Sequence, residues 1–149
     1  MTTAAQTFHA LSDADLATLA AQRTVVERYL GNDPQNLENY ATAAGKLGLL
    51  RAILEARLFG PTHTYELQCM GVVFGDVFVQ VCGWAWSMVE DELGRDPCIK
   101  VPNSTIVLYP LTMISKRIEH GETVDVFALF DEIAADAERL SRTTVARPS

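Results

Sequence analysis

Four carboxylates and one guanidinium crowd the end of the stretch WAWSMVEDELGRDP: Glu90, Asp91, Glu92 and Asp96, with Arg95 among them. Side chains of these types can hold a hard cation with several oxygens, or act as an acid and base pair. The spacing suits neither. The calcium-loop pattern D-x-[DN]-x-[DN]-G is absent. Alternation along a strand sends Glu90 and Asp91 to opposite faces, so they do not easily share one ion. A catalytic pair needs one carboxyl desolvated so that its pKa rises, and a hairpin tip beside water seldom does that. The acids read as a solvated tip and, if they act, as a surface that touches another protein. Arg95 is expected to pair with a neighbouring acid, a contact worth roughly 0–1 kcal/mol at the surface.

A second candidate is YPLTMISKR, Tyr109 to Arg117. A strand there delivers the chain to a helix start, whose first N–H groups lack internal partners and attract anions. Thr112 could add a hydroxyl. Lys116 and Arg117 sit nearer the other end of that helix, where they complement its negative pole. Without a glycine-rich loop the phosphate signal is weak. Arg117 is expected to pair with an acid of the tip or of the third helix. A small-molecule pocket is expected, if the protein has one, between the sheet and the third or fourth helix. Its candidate lining is Glu66, Trp86, Tyr109, Lys116 and Arg117.

Other groups carry less. His63 and Glu66 form H-x-x-E at a helix start, but a metal needs more ligands nearby, and H-E-x-x-H is absent. Ser87, Ser104 and Ser115 have no adjacent His–Asp signature, and no G-x-S-x-G, G-x-G-x-x-G or Walker pattern occurs. The three cysteines, Cys69, Cys82 and Cys98, contain no C-x-x-C and read as buried reduced thiols. No catalytic residue, metal site or cofactor is expected. Trp84 and Trp86 each carry about 150–250 Å² of surface to bury, and the third helix is the surface they need.

The elements that must position these groups follow from periodicity. Ser12 caps a first helix to Leu30, with Asp13 and Asp15 at its positive end and Leu16, Leu19, Val26 and Leu30 at helical spacing. A second is expected from about Leu37 to Leu58, where Gly45 and Gly48 mark either a close crossing or a break. The third, Tyr65 to about Val81, is apolar on most sides and therefore central. Near Gly83 the period changes from 3.6 to 2. Trp84, Trp86 and Met88 then face one way and Ala85, Ser87 and Val89 the other. Cys98 to Val101 returns as a short strand, and Ser104 to Tyr109 forms a third. Pro110 opens a fourth helix that Gly121 ends, and Thr123 or Asp125 starts a fifth. The expected fold is one α+β domain over residues 1–149: helices, a three-stranded antiparallel meander, then helices packed on one face of the sheet. Residues 1–11 and 141–149 are expected to be frayed tails.

Bulk properties narrow the partners. The chain has 149 residues, 48 % apolar and 21 % charged, as one globular domain has. Residues 61–149 carry thirteen acids and seven bases, so most of the net charge of −7 lies there. An acidic surface repels phosphate backbones and anionic lipid, so neither nucleic acid nor a membrane is an expected partner, whereas a basic protein is. No secretory start, no spanning apolar run and unpaired thiols lead to an expected cytoplasmic location.

From about Leu49 to Ala134 the chain resembles bacterial domain of unknown function family 3806. The likeness lies in ELQCMGVVFGDVF, in WAWSMVEDELGRDP and above all in STIVLYPLTMISKRIEHGE. The resemblance implies a bacterial origin and supports the α+β reading, but it implies no activity. The function expected is a non-catalytic acidic interaction module, such as an adaptor, a chaperone-like protein or an immunity protein. The alternatives are a small-molecule binder or enzyme using the pocket named above, and a domain that pairs with itself as a homodimer.

Overall fold

The computed structural model describes residues 5–145, with side chains as far as 142. Six helices and a four-stranded antiparallel sheet make an α+β fold, in the order β1 (Thr7–His9), α1 (Asp13–Glu27), α2 (Pro34–Tyr40), α3 (Ala43–Glu55), α4 (Thr64–Cys82), β2 (Ala85–Asp91), β3 (Gly94–Lys100), β4 (Val107–Leu108), α5 (Pro110–Glu119) and α6 (Val126–Val145). A single 3-10 turn, Arg28–Leu30, follows α1. The strands lie in the order β1-β2-β3-β4.

Helix α4 is the axis of the core. Ten of its residues are buried, from Leu67 to Phe78, and it packs against α1, α3, α5 and α6. Phe74 and Phe78 meet edge to face at 5.3 Å, and Phe78 reaches Phe130 of α6 at 4.7 Å. Two glycines on α4 permit its closest neighbours. A Cβ on Gly71 would lie 2.5 Å from the Pro110 carbonyl oxygen of α5, and one on Gly75 would strike the Trp86 ring. Gly83 then adopts φ 74° and closes the helix in the left-handed region that glycine occupies without strain.

The switch from helix to pleated strand falls where the periodicity puts it. Trp84 stacks on Phe78 at 6.0 Å with the rings 9° from parallel, and Trp86 lies against α4. Met88 and Ile99 are buried on the same inner side of the sheet. Val89 is on the opposite side, as alternation requires, yet is buried as well. Cys98 lies beside it, and Phe8 of β1 pairs with it across the ladder.

Five sequence expectations are corrected by the coordinates. The helix expected over 37–58 is two, α2 and α3. Thr42 leaves helical geometry, accepts from Gly45 N–H at 2.9 Å and donates to the Asn39 carbonyl at 2.7 Å. Gly45 is required at that corner because a Cβ would collide with the same carbonyl. The sheet has four strands rather than three, because β1, inside the expected tail 1–11, pairs with β2 through Thr7↔Glu90 and His9↔Met88. Strand β3 begins at Gly94 rather than Cys98, so Arg95 and Asp96 belong to the ladder. The expected strand 104–109 shrinks to Val107–Leu108. Ser104 Oγ donates to the Val101 carbonyl and accepts from Ile106 N–H, which holds the preceding residues as a turn. Helix α6 continues through Val145 into the expected tail 141–149; residues 1–4 and 146–149 of the expected tails lie outside the described residues.

Candidate functional site

The β2–β3 hairpin is built by its own residues. Asp91 and Gly94 are ladder partners, leaving Glu92 and Leu93 as the two-residue turn. Gly94 takes φ 139°, where an L side chain would be strained. Asp91 Oδ1 accepts from Leu93 N–H at 2.8 Å and braces the bend. The result carries Leu93 outward with 96 % of its surface exposed, while Glu90, Glu92 and Asp96 stand exposed around it.

Arg95 does not serve the tip. Its guanidinium turns to the start of α1 and donates two hydrogen bonds to Asp15, at 2.6 and 2.8 Å. The acid predicted to neutralise it is thus from the first helix rather than the hairpin. Asp15 also accepts from Ser12 N–H at 2.8 Å, and Ser12 Oγ accepts from Asp15 N–H at 3.1 Å, the reciprocal cap of a helix start. Arg95, and then the Ser12 amide, hold the Asp15 carboxyl well below the usual carboxylate range. Asp15 retains 12 % of its side-chain surface and Arg95 39 %. Of the tip acids, Glu90 lies 3.9 Å from His9 Nε2, and Asp91, Glu92 and Asp96 form no ion pair among the described residues. Arg95 stands opposite Glu90 in the ladder while hydrogen-bonding Asp15, so the acids without an ion pair around the apolar side chain are Asp91, Glu92 and Asp96, among the described residues.

The second expected group does not converge. Glu66 is half-buried in the first turn of α4. Tyr109 Oη accepts from Gln6 at 3.4 Å, and Lys116 is exposed. Arg117 donates to the Met113 carbonyl of its own helix at 2.8 Å, which corrects the expected pairing with an acid. Trp86 fills the space between sheet and α4 where the pocket was expected. Of four grooves, one is lined by Trp86, and none is lined by Glu66, Tyr109, Lys116 or Arg117. The largest of the four, about 590 Å³, lies instead between the end of α3 and the α5–α6 loop. His63 Nδ1 accepts from Gly60 N–H at 2.9 Å and organises the α3–α4 loop.

One polar cluster escaped the sequence reading. Asp76, the sole charged residue of the apolar run in α4, accepts from Arg23 Nε at 2.6 Å and Nη2 at 2.9 Å, and from Trp86 Nε1 at 2.9 Å. It ties α1, α4 and β2 together, and Asp76 holds the Arg23 pKa above its ordinary value. Nearby, burial and then the Glu27 carboxylate push Tyr40 upward, although its hydroxyl has no hydrogen bond of good geometry. The available signal was Asp76 itself, since a lone acid amid valines and phenylalanines must find a partner. No sequence spacing points from it to Arg23.

Three comparisons bear on this geometry. The family model described as Domain of unknown function (DUF3806) matches residues 46–130, more than half of the chain. That segment contains the hairpin and Asp76 but neither Asp15 nor Arg23. A crystal structure from Bacteroides thetaiotaomicron VPI-5482, at 1.50 Å, is similar with a TM-score of 0.65 and 13 % identity, over 86 % of this chain and 47 % of that one. That likeness is one of fold, and this chain spans about half the length of that protein. No curated protein matches.

Proposed function

This chain belongs to the family described as Domain of unknown function (DUF3806), and from that premise we propose that it is a non-catalytic interaction module of a bacterial cytoplasm that binds a basic protein through its β2–β3 hairpin tip. The observation that carries the reading is Leu93, 96 % exposed at the end of a turn flanked by Glu90, Asp91, Glu92 and Asp96. An apolar side chain held out by a braced turn is covered by nothing in its own fold, and a partner that buries it gains about 1.5–3 kcal/mol. The acids supply steering and register toward a basic surface. Arg95 supports the reading because its hydrogen bonds go to Asp15, so that Asp91, Glu92 and Asp96 keep no ion pair among the described residues.

Affinity capture from the native cell extract tests it. Wild type is compared with the triple reversal Glu90→Lys, Asp91→Lys, Glu92→Lys, and separately with Leu93→Ser. The expected result is a basic protein retained by wild type, eluted by rising salt and lost from both variants. Retention of the same proteins by wild type and both variants would sink the proposal.

A further inference from the structure

Helix α2 is loosely tied to the rest of the fold. None of its seven residues is buried, and Leu37 keeps 51 % of its surface exposed. A helix this short is unstable alone in water, so its outside contacts must hold it. The side-chain bonds near its start are local. Asp33 Oδ1 accepts from Gln35 N–H, Gln35 donates to Asn39, and Asn36 donates to the Leu30 carbonyl at 3.3 Å. Ties to other elements gather at its far end. Gln80 of α4 donates to the Ala41 carbonyl at 2.8 Å, and Lys46 of α3 donates to the Tyr40 carbonyl at 3.0 Å and lies over the Tyr40 ring. Tyr40 packs against the core, but its hydroxyl is buried without a hydrogen bond of good geometry, which weakens the hold.

Backbone breaks bound the segment on both sides. Gly31 takes φ 68° with ψ −153°, a conformation that suits glycine, and Thr42 leaves helical geometry before α3. Between α2, α3 and the 3-10 turn lies a groove of about 360 Å³, lined among others by Asn36, Asn39, Gly45 and Gly48. The two helices touch closely at the Gly45 corner, yet a Cβ on Gly48 would meet nothing within 4 Å. We infer that α2 is a flap. It opens about Gly31 and Thr42 while the other helices and the sheet stay folded, which widens the groove and lifts Tyr40 away from Glu27. The flap is separate from the hairpin tip, and its failure would leave the protein-contact reading untouched.

Native-state hydrogen exchange of the full chain in low urea, read by nitrogen–proton NMR, tests it. After correction for intrinsic rates, the Leu37 to Tyr40 amides are expected to exchange at least about a hundredfold faster than the slowest amides of α4. Their exchange should depend little on urea, because the opening exposes little surface. Glu38→Pro disables the helix at its centre. That variant should keep wild-type chemical shifts in α5, α6 and the hairpin, and should lose no more stability than the free energy at which wild-type α2 opens. Exchange of α2 as slow as that of α4, a urea slope equal to that of global unfolding, or a Glu38→Pro chain that unfolds or shifts throughout would each overturn the inference.

Discussion

Asp15 caps its own helix and clasps Arg95 at the same time, with hydrogen bonds of 2.6 and 2.8 Å to a residue eighty positions later. One carboxylate thereby closes the start of α1 and fixes the root of the hairpin that carries Leu93. The hairpin is consequently a supported projection and not a free loop. The same contact gives the hydrogen bonds of the tip's one base to α1, while that base still stands opposite Glu90 in the ladder.

This clasp gives a pH dependence of known sign. The Asp15 carboxyl is held below its unfolded value by Arg95 and Ser12. Its stabilising contribution is therefore complete above the unfolded pKa of about 4 and is lost as the pH falls from there toward the lowered folded value. Asp15→Asn should be less stable than wild type at neutral pH, and the gap should narrow on acidification. Urea unfolding between pH 6 and pH 2 measures it, and a gap that stays constant or widens would contradict the assignment.

Asp76 joins α1, α4 and β2 through Arg23 and Trp86. Its removal leaves Arg23 partly buried without its partner and Trp86 Nε1 without an acceptor. Breaking a buried pair costs about 3–5 kcal/mol, and the partial exposure of Arg23 and Asp76, 27 % and 15 %, places Asp76→Ala near the lower end. Chemical denaturation should show about 3 kcal/mol lost, and tryptophan fluorescence of the folded variant should shift to the red.

Three glycine-to-alanine changes should fall in a fixed order. Gly48 lies inside α3 with nothing within 4 Å of an added Cβ, so Gly48→Ala should stabilise by about 0.5–1 kcal/mol. Gly75→Ala meets the Trp86 ring, a side chain that can shift at a cost of about 1–3 kcal/mol. Gly71→Ala meets the backbone of Pro110 and Leu111, which moves less readily, and should cost the most. Thermal unfolding of the three variants checks the ranking.

The tip should be dispensable for folding. Leu93→Ser, Glu90→Lys and Glu92→Lys alter exposed side chains, and each should change stability by no more than about 0.5 kcal/mol, whereas Asp91→Lys also removes the acceptor that braces the turn and should cost about 1 kcal/mol. A much larger loss in circular-dichroism melts would mean that the tip is bound within its own fold, against the contact role.

Thiol reactivity should separate the cysteines. Burial pushes Cys98 up to about 11, and it raises Cys69 and Cys82 as well. Cys69 and Cys98 are fully buried, whereas Cys82 is half-buried at the end of α4. In the native protein at pH 8, an aromatic disulfide reagent should label Cys82 first and the other two only on unfolding, as mass spectrometry of the labelled peptides would show.

Local chemistry was enough to place much of this protein. Ser12 and Asp15 mark the start of α1, Pro110 the start of α5 and Gly83 the end of α4, because caps and left-handed glycines act within a few residues. The change of period at Gly83 likewise put both indoles against the helix that is α4. Pairing across long separations was not legible. Thr7–His9 carries no strand signal of its own and becomes β1 only because β2 offers an open edge. Arg23 and Asp76 are 53 positions apart, and Arg95 and Asp15 are 80. An ion pair is a property of distance, and the distance between two such residues is set by the packing of α1 on α4 and on the hairpin. The residue types could announce that each charge needed a partner; only the packed core decided which one it met and left Leu93 standing free.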